Sequence, residues 1–164
     1  MDLTRAFHAL LALAGLVACA AAQAAGDGGG GGTSVAAEDP DYTEAVAAIR
    51  AEKFPRAIEL LERHVKRQPG NADAENWLGY AYRRSGQLDA AFVHYDKALA
   101  IHPTHLGAHE YVGEAWLLAG RLDKAEEHLK VLDRLCFLPC EQYSDLKRAV
   151  ADYKAGKRPV AATH

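Results

Sequence analysis

The stretch Ala72–His105, ADAENWLGYAYRRSGQLDAAFVHYDKALAIHPTH, decides the fold. Its second half places Ala91, Tyr95, Ala98 and Leu99 at i, i+4, i+7 and i+8, one apolar face of a helix. Gly86 stands where a helix ends on a left-handed residue, and Asp89 opens the next helix near its positive end. The stretch therefore predicts two helices joined by a tight turn.

Its neighbours repeat the pattern. A shift of 34 residues aligns Ala57, Ala91 and Ala125; Leu61, Tyr95 and Leu129; Phe54, Leu88 and Leu122; Pro69 and Pro103; and Ala45, Gly79 and Gly113. Five columns at one period mark an internal repeat, and each repeat is a helical hairpin that needs its neighbours to bury a core. Leu78, Gly79, Tyr82, Gly86, Ala91, Tyr95, Ala98 and Pro103 together resemble the tetratricopeptide repeat signature. The resemblance implies an all-α, right-handed α-solenoid of three hairpins: residues 38–71, 72–105 and 106–139. The two helices of a hairpin are expected to cross closely at Gly79 and Ala91, with Tyr82 and Tyr95 filling the wider spaces beside the crossing.

The first repeat carries Glu44, Ala45, Ala48 and Glu52 where the second has Leu78, Gly79, Tyr82 and Gly86, a weakly apolar helix that suits the end of a stack. Beyond the third, Tyr143, Leu146, Val150 and Tyr153 share one face, while Lys147 stands where a fourth repeat would need glycine. Residues 140–155 are therefore expected to form a closing helix, followed by a disordered tail at 156–164.

The other end reads as targeting. Ala9 to Ala18 is an uncharged apolar run of about ten residues, too short to span a bilayer, and Ala22-Gln23-Ala24 fits small-x-small cleavage. Residues 1–24 are expected to be a signal peptide and 25–37 a glycine-rich flexible linker. Leu16-Val17-Ala18-Cys19 also resembles a bacterial lipobox, which would make acylated Cys19 the mature N-terminus; the two cleavages exclude each other. Either way the chain is expected to be exported, periplasmic or lipid-anchored in a bacterial envelope, and to meet a membrane only through such an anchor. A formal charge of −3 does not suit a nucleic-acid binder.

Cys136 and Cys140 flank a proline-broken junction, and in an exported protein they read as a disulfide fixing the closing helix; two packed thiols are the alternative. His105 and His109 have a spacing that can place two imidazoles on one metal, but no further ligand completes the set, so core or surface histidines are the better reading. No nucleophile elbow, phosphate-cradling loop, zincin or haem-attachment motif is present. The chain reads as non-catalytic, with no cofactor expected.

What the resemblance leaves for function is the concave face. The family's ligand-facing positions fall here on Tyr42, Ile49, Asn76, Tyr80, Arg83, Arg84, Glu110 and Glu114, a mixture suited to gripping a protein or peptide partner. The lysine and asparagine arrangement with which some members hold a C-terminal carboxylate is missing. His94 and Lys97 are expected to face outward, away from that groove. Two other readings stay open: a self-associating or assembly subunit of an envelope complex, and a metal- or redox-linked accessory protein using the histidines or Cys136 and Cys140.

Overall fold

The computed structural model describes residues 39–138, 140–157 and 159; the signal-like segment with Cys19, the glycine-rich stretch and the last five residues lie outside them. Seven helices follow in order: α1 Pro40–Arg50, α2 Phe54–Arg67, α3 Ala72–Arg84, α4 Leu88–Ile101, α5 Leu106–Leu118, α6 Leu122–Leu135 and α7 Glu141–Lys154. α1, α3 and α5 each pair with the even helix that follows, α7 packs on α5 and α6, and α1, α3, α5 and α7 touch in succession, forming the inner layer of an α-solenoid.

Three hairpin turns close in the same way. The amide of residue 86 donates to the Arg83 carbonyl and that of Gln87 to the Tyr82 carbonyl; Gly120 with Arg121, and Glu52 with Lys53, repeat the arrangement. This ending requires a left-handed residue, and φ is 75° at Gly86, 74° at Gly120 and 55° at Glu52. Glu52 adopts it without glycine's freedom. The opposite ends are capped by side chains: Asn71 Oδ1 accepts from the Ala74 amide at 3.0 Å, and His105 Nδ1 from the Ala108 amide at 3.1 Å. His105 is thus a helix cap.

The core is a continuous column rather than a single centre. Leu60, Leu61 and Leu78 are fully buried in the first hairpin and α3; Tyr95 and Val112 follow between the second and third, and Leu132 and Leu146 under α7. Tyr95 does not lie beside the helix crossing. A Cβ on Gly79 would stand 2.5 Å from two of its ring carbons, so the ring lies directly over the glycine. Tyr82 turns the other way, donating its hydroxyl to Glu62 at 2.6 Å and stacking on His94. Gly113 admits α7: a Cβ there would meet Leu146 Cδ2 at 2.6 Å.

The weakly apolar first helix is held by charge as well as by Ala45, Ala48 and Ile49. Arg63 reaches Asp41 at 2.8 Å, Arg67 reaches Asp39 and Asp41, and Arg56 reaches Glu44. At the other end, Leu146 and Val150 of α7 are buried, with Tyr143 and Tyr153 packed beside them. Cys136 and Cys140 are joined, with S–S 2.02 Å and Cα–Cα 5.8 Å, between α6 and α7. Among the described residues, no helix is long and apolar enough to cross a membrane.

Candidate partner-binding groove

The inner layer encloses a groove of about 620 Å³ walled by α3, α5 and α7. Helix geometry explains which side chains reach it. Tyr80, Arg83 and Arg84 recur at three- and four-residue steps on α3, Glu110, Glu114 and Leu117 do so on α5, and Asp145, Arg148 and Asp152 on α7. Tyr80 and Tyr111 meet across the α3–α5 seam with ring centroids 5.0 Å apart, and Tyr153 stands on the α7 wall.

The floor is polar and largely withdrawn from water. Arg83 is only 6% exposed, pairs with Glu114 at 2.9 Å and lies against the Tyr80 and Tyr111 rings, 5.2 and 5.7 Å from their centroids. A guanidinium so placed is a framework element: its removal would leave Glu114 unpaired beside a second acid. Arg84 lies nearer the surface, donating to the Tyr80 hydroxyl at 2.7 Å and covering the Phe54 ring. Glu110 is 8% exposed. Burial first, then Glu114 and Asp145, push its carboxyl up to about 8.

Comparison with known families and structures places this architecture. Two family models, both described as tetratricopeptide repeat, match residues 42–105 and 83–135. The chain belongs to the tetratricopeptide repeat family. No curated protein matches it. The first tetratricopeptide repeat domain of Spaghetti (RPAP3), bound to the HSP90 peptide SRMEEVD, is 17% identical with TM-score 0.62, covering 70% of this chain and 90% of that one. The Yersinia enterocolitica type III secretion translocator chaperone SycD is 19% identical with TM-score 0.62, over 70% and 79% of the two chains. The Sgt2 domain of Aspergillus fumigatus is 20% identical with TM-score 0.60, over 76% and 85%. At these identities the likeness shows the fold alone.

The tetratricopeptide ligand-facing columns divide by depth. Tyr80, Arg84 and Glu114 line the groove with part of their surface open, and Arg83 and Glu110 line it from below. Ile49 is 7% exposed within the first core cluster, and Asn76 is 4% exposed with Oδ1 facing no donor. Tyr42 packs beside the buried His64, ring centroids 5.1 Å apart, away from the groove lining. Tyr111 and the whole α7 wall were not anticipated. One signal was available: carrying the 34-residue period a further step puts Arg148 in the column of Glu114 and Asp152 in that of Leu118.

The remaining histidines settle elsewhere. His105 spends its second nitrogen on Asp73 at 3.0 Å, while His109 directs Nε2 to the Pro103 carbonyl at 3.0 Å and Nδ1 to His128 Nδ1 at 2.9 Å. A carbonyl can only accept, so Nε2 of His109 carries the proton and Nδ1 accepts from His128. The two rings of the i, i+4 pair do not converge, and among the described residues no three His, Cys, Asp or Glu side chains form a metal-binding group. His94 is not outward-facing: 14% of its side chain is exposed, and its Nδ1 lies 2.6 Å from Glu75. It reaches that partner across the α3–α4 hairpin. Lys97 is exposed but borders a second hollow between α2 and α4, with His94 and Ile101.

Proposed function

We propose that this protein is a non-catalytic scaffold in a bacterial envelope that binds an extended segment of a protein partner along the α3–α5–α7 groove. The observation that carries this reading is the groove itself: rigid aromatic walls from Tyr80, Tyr111 and Tyr153, and charged groups held in fixed geometry on helices rather than loops. Such walls give contact area at low entropic cost, and fixed charges give orientation. The peptides held by the RPAP3 domain and, in a second SycD structure, by that chaperone support the same use of this fold.

Export rests on separate grounds. The short apolar run, the Ala22-Gln23-Ala24 site and a Cys136–Cys140 bond that suits an oxidising compartment all favour it. Intact mass of native protein is expected to show a chain beginning at or near Ala25, or at acylated Cys19; retention of Met1 overturns both.

Partner binding is tested by a photo-crosslinking residue placed at Leu118, on the groove wall, or at Val93, which is 53% exposed on α4. In envelope extracts the Leu118 position should capture a defined partner, and Tyr80→Ala should abolish that capture. Capture from Val93 alone would place the partner on the outer face and refute the reading.

A further inference from the structure

The charges along the groove are almost all matched within it or at its rim. Arg83 pairs with Glu114 at 2.9 Å, Arg148 with Asp145 at 2.6 Å and Lys157 with Asp152 at 2.7 Å. Arg84 is satisfied by the Tyr80 hydroxyl and, more distantly, by Glu52 at 3.5 Å. Glu110 is the exception: its side chain lines the groove, 8% exposed, and among the described residues its carboxyl has no hydrogen bond and no ion pair. The residue keeps little contact with water, and that contact is with the groove, so its ionised form stays poorly satisfied until a ligand supplies a counter-charge.

The groups around it say what would satisfy it. Glu114 shares its own helix, Asp145 and Glu141 face it from α7, and Arg83 faces it from α3, already committed to Glu114. Glu114 is paired with Arg83 and Asp145 with Arg148, which leaves Glu141 and Glu110 itself as the acids here without an ion pair among the described residues. An anionic ligand placed here would meet repulsion; a cation would pair with Glu110.

Resting on the groove-binding reading above, we propose that this groove selects basic segments, and that a lysine or arginine side chain of the partner docks on the Glu110 carboxylate between α3, α5 and α7. Docking then carries a proton out. With its carboxyl raised to about 8 in the empty groove, Glu110 is mostly protonated at neutral pH and must ionise as the cation arrives. Affinity for a cationic segment therefore climbs as pH rises toward 8 and levels off above it.

The test uses the full mature protein and four nine-residue peptides of Ala, Leu and Ser, N-acetylated and C-amidated, whose three variable positions are all Lys, all Arg, all Gln or all Glu. Binding is followed by NMR on the Tyr80, Tyr111 and Leu118 signals. The Lys or the Arg peptide should bind at least about tenfold more tightly than the Gln peptide, the worth of one charge-assisted contact. Glu110→Gln should remove most of that preference and its rise between pH 6 and 8, whereas Asp96→Asn, on the exposed face of α4, should change neither. The wild-type pH profile and peptide ranking stand even if the variant folds poorly. Equal or tighter binding of the Gln or Glu peptide, or a cationic preference that survives Glu110→Gln in folded protein, overturns the selectivity while leaving a peptide groove intact. No response at these signals to any of the four peptides overturns both.

Discussion

Glu52 shows how much one backbone angle can cost. At φ 55° it holds the turn conformation that Gly86 and Gly120 hold in the other hairpins, where a Cβ is penalised by about 1–2 kcal/mol. Glycine would remove that penalty but add unfolded-state entropy worth about 0.4–1 kcal/mol. Glu52→Gly should therefore stabilise by about 0.5–1 kcal/mol, read as a rise in the urea midpoint; its 3.5 Å contact to Arg84 is too long and exposed to reverse the sign. Gly79 presents the opposite case. Its missing Cβ is the space occupied by the Tyr95 ring, which is fully buried and cannot swing aside, so Gly79→Ala should destabilise by about 1–3 kcal/mol despite alanine's better helix propensity. Gly113→Ala meets only the branched end of the Leu146 side chain, which has rotamer freedom that the Tyr95 ring lacks. Its cost should be smaller. Equal midpoints for the two variants would contradict these packing assignments.

Among the elements, α7 depends most on its junction. The Cys136–Cys140 bond closes a five-residue loop, worth about 2 kcal/mol by restricting the unfolded chain. Reduction should lower thermal stability by that order, with hydrogen exchange rising first in α7 and far less in α1 and α2. Uniform acceleration along the chain would show that the bond does not act on this joint. The element level is also where the sequence was most legible. A repeat period reads out helices and turns, because Gly86 and Gly120 signal chain conformation by themselves, and the apolar face of α7 follows from Leu146 and Val150. A period assigns a residue to a column, however, and says nothing of its depth. Ile49, Asn76, Arg83 and Glu110 occupy ligand-facing columns yet are nine-tenths covered, because the following inner helix or the hairpin mate closes over them. His94 was misread for a related reason: its partner Glu75 lies 19 residues away, and nothing local marks the pair. Tyr111 and Arg148 were missed because α7 reads as a cap, while its polar side completes the groove.

Across the whole molecule, two opposed titrations shape stability. Burial and His109 hold His128 down at about 4, so the unfolded chain takes up that proton first and stability falls with acidification between about pH 6.5 and 4. Glu110 runs the other way. Its raised value means that stabilisation is complete below the ordinary glutamate range and is lost as pH rises through about 8. Between about pH 4.5 and 6.5 the two largely cancel; above 6.5 only Glu110 of the pair still titrates. Wild-type stability should therefore fall by on the order of 1–2 kcal/mol from pH 6.5 to 8, and Glu110→Gln should flatten that limb and unmask the His128 limb, so that the variant loses stability from pH 6.5 to 5, where the wild type stays nearly flat. Urea melts at pH 5, 6.5 and 8 measure both, and a flat wild-type curve from 6.5 to 8 would show that Glu110 is ionised in the folded protein.

Arg83 and Glu114 sit on successive inner helices and meet at 2.9 Å. In mechanical terms they are a tie across the inside of a bend: straightening the coil must lengthen it, and tightening the coil drives it against the Tyr80 and Tyr111 rings. Curvature and groove width are then one coordinate rather than two. A ligand that draws Glu114 away would slacken the tie.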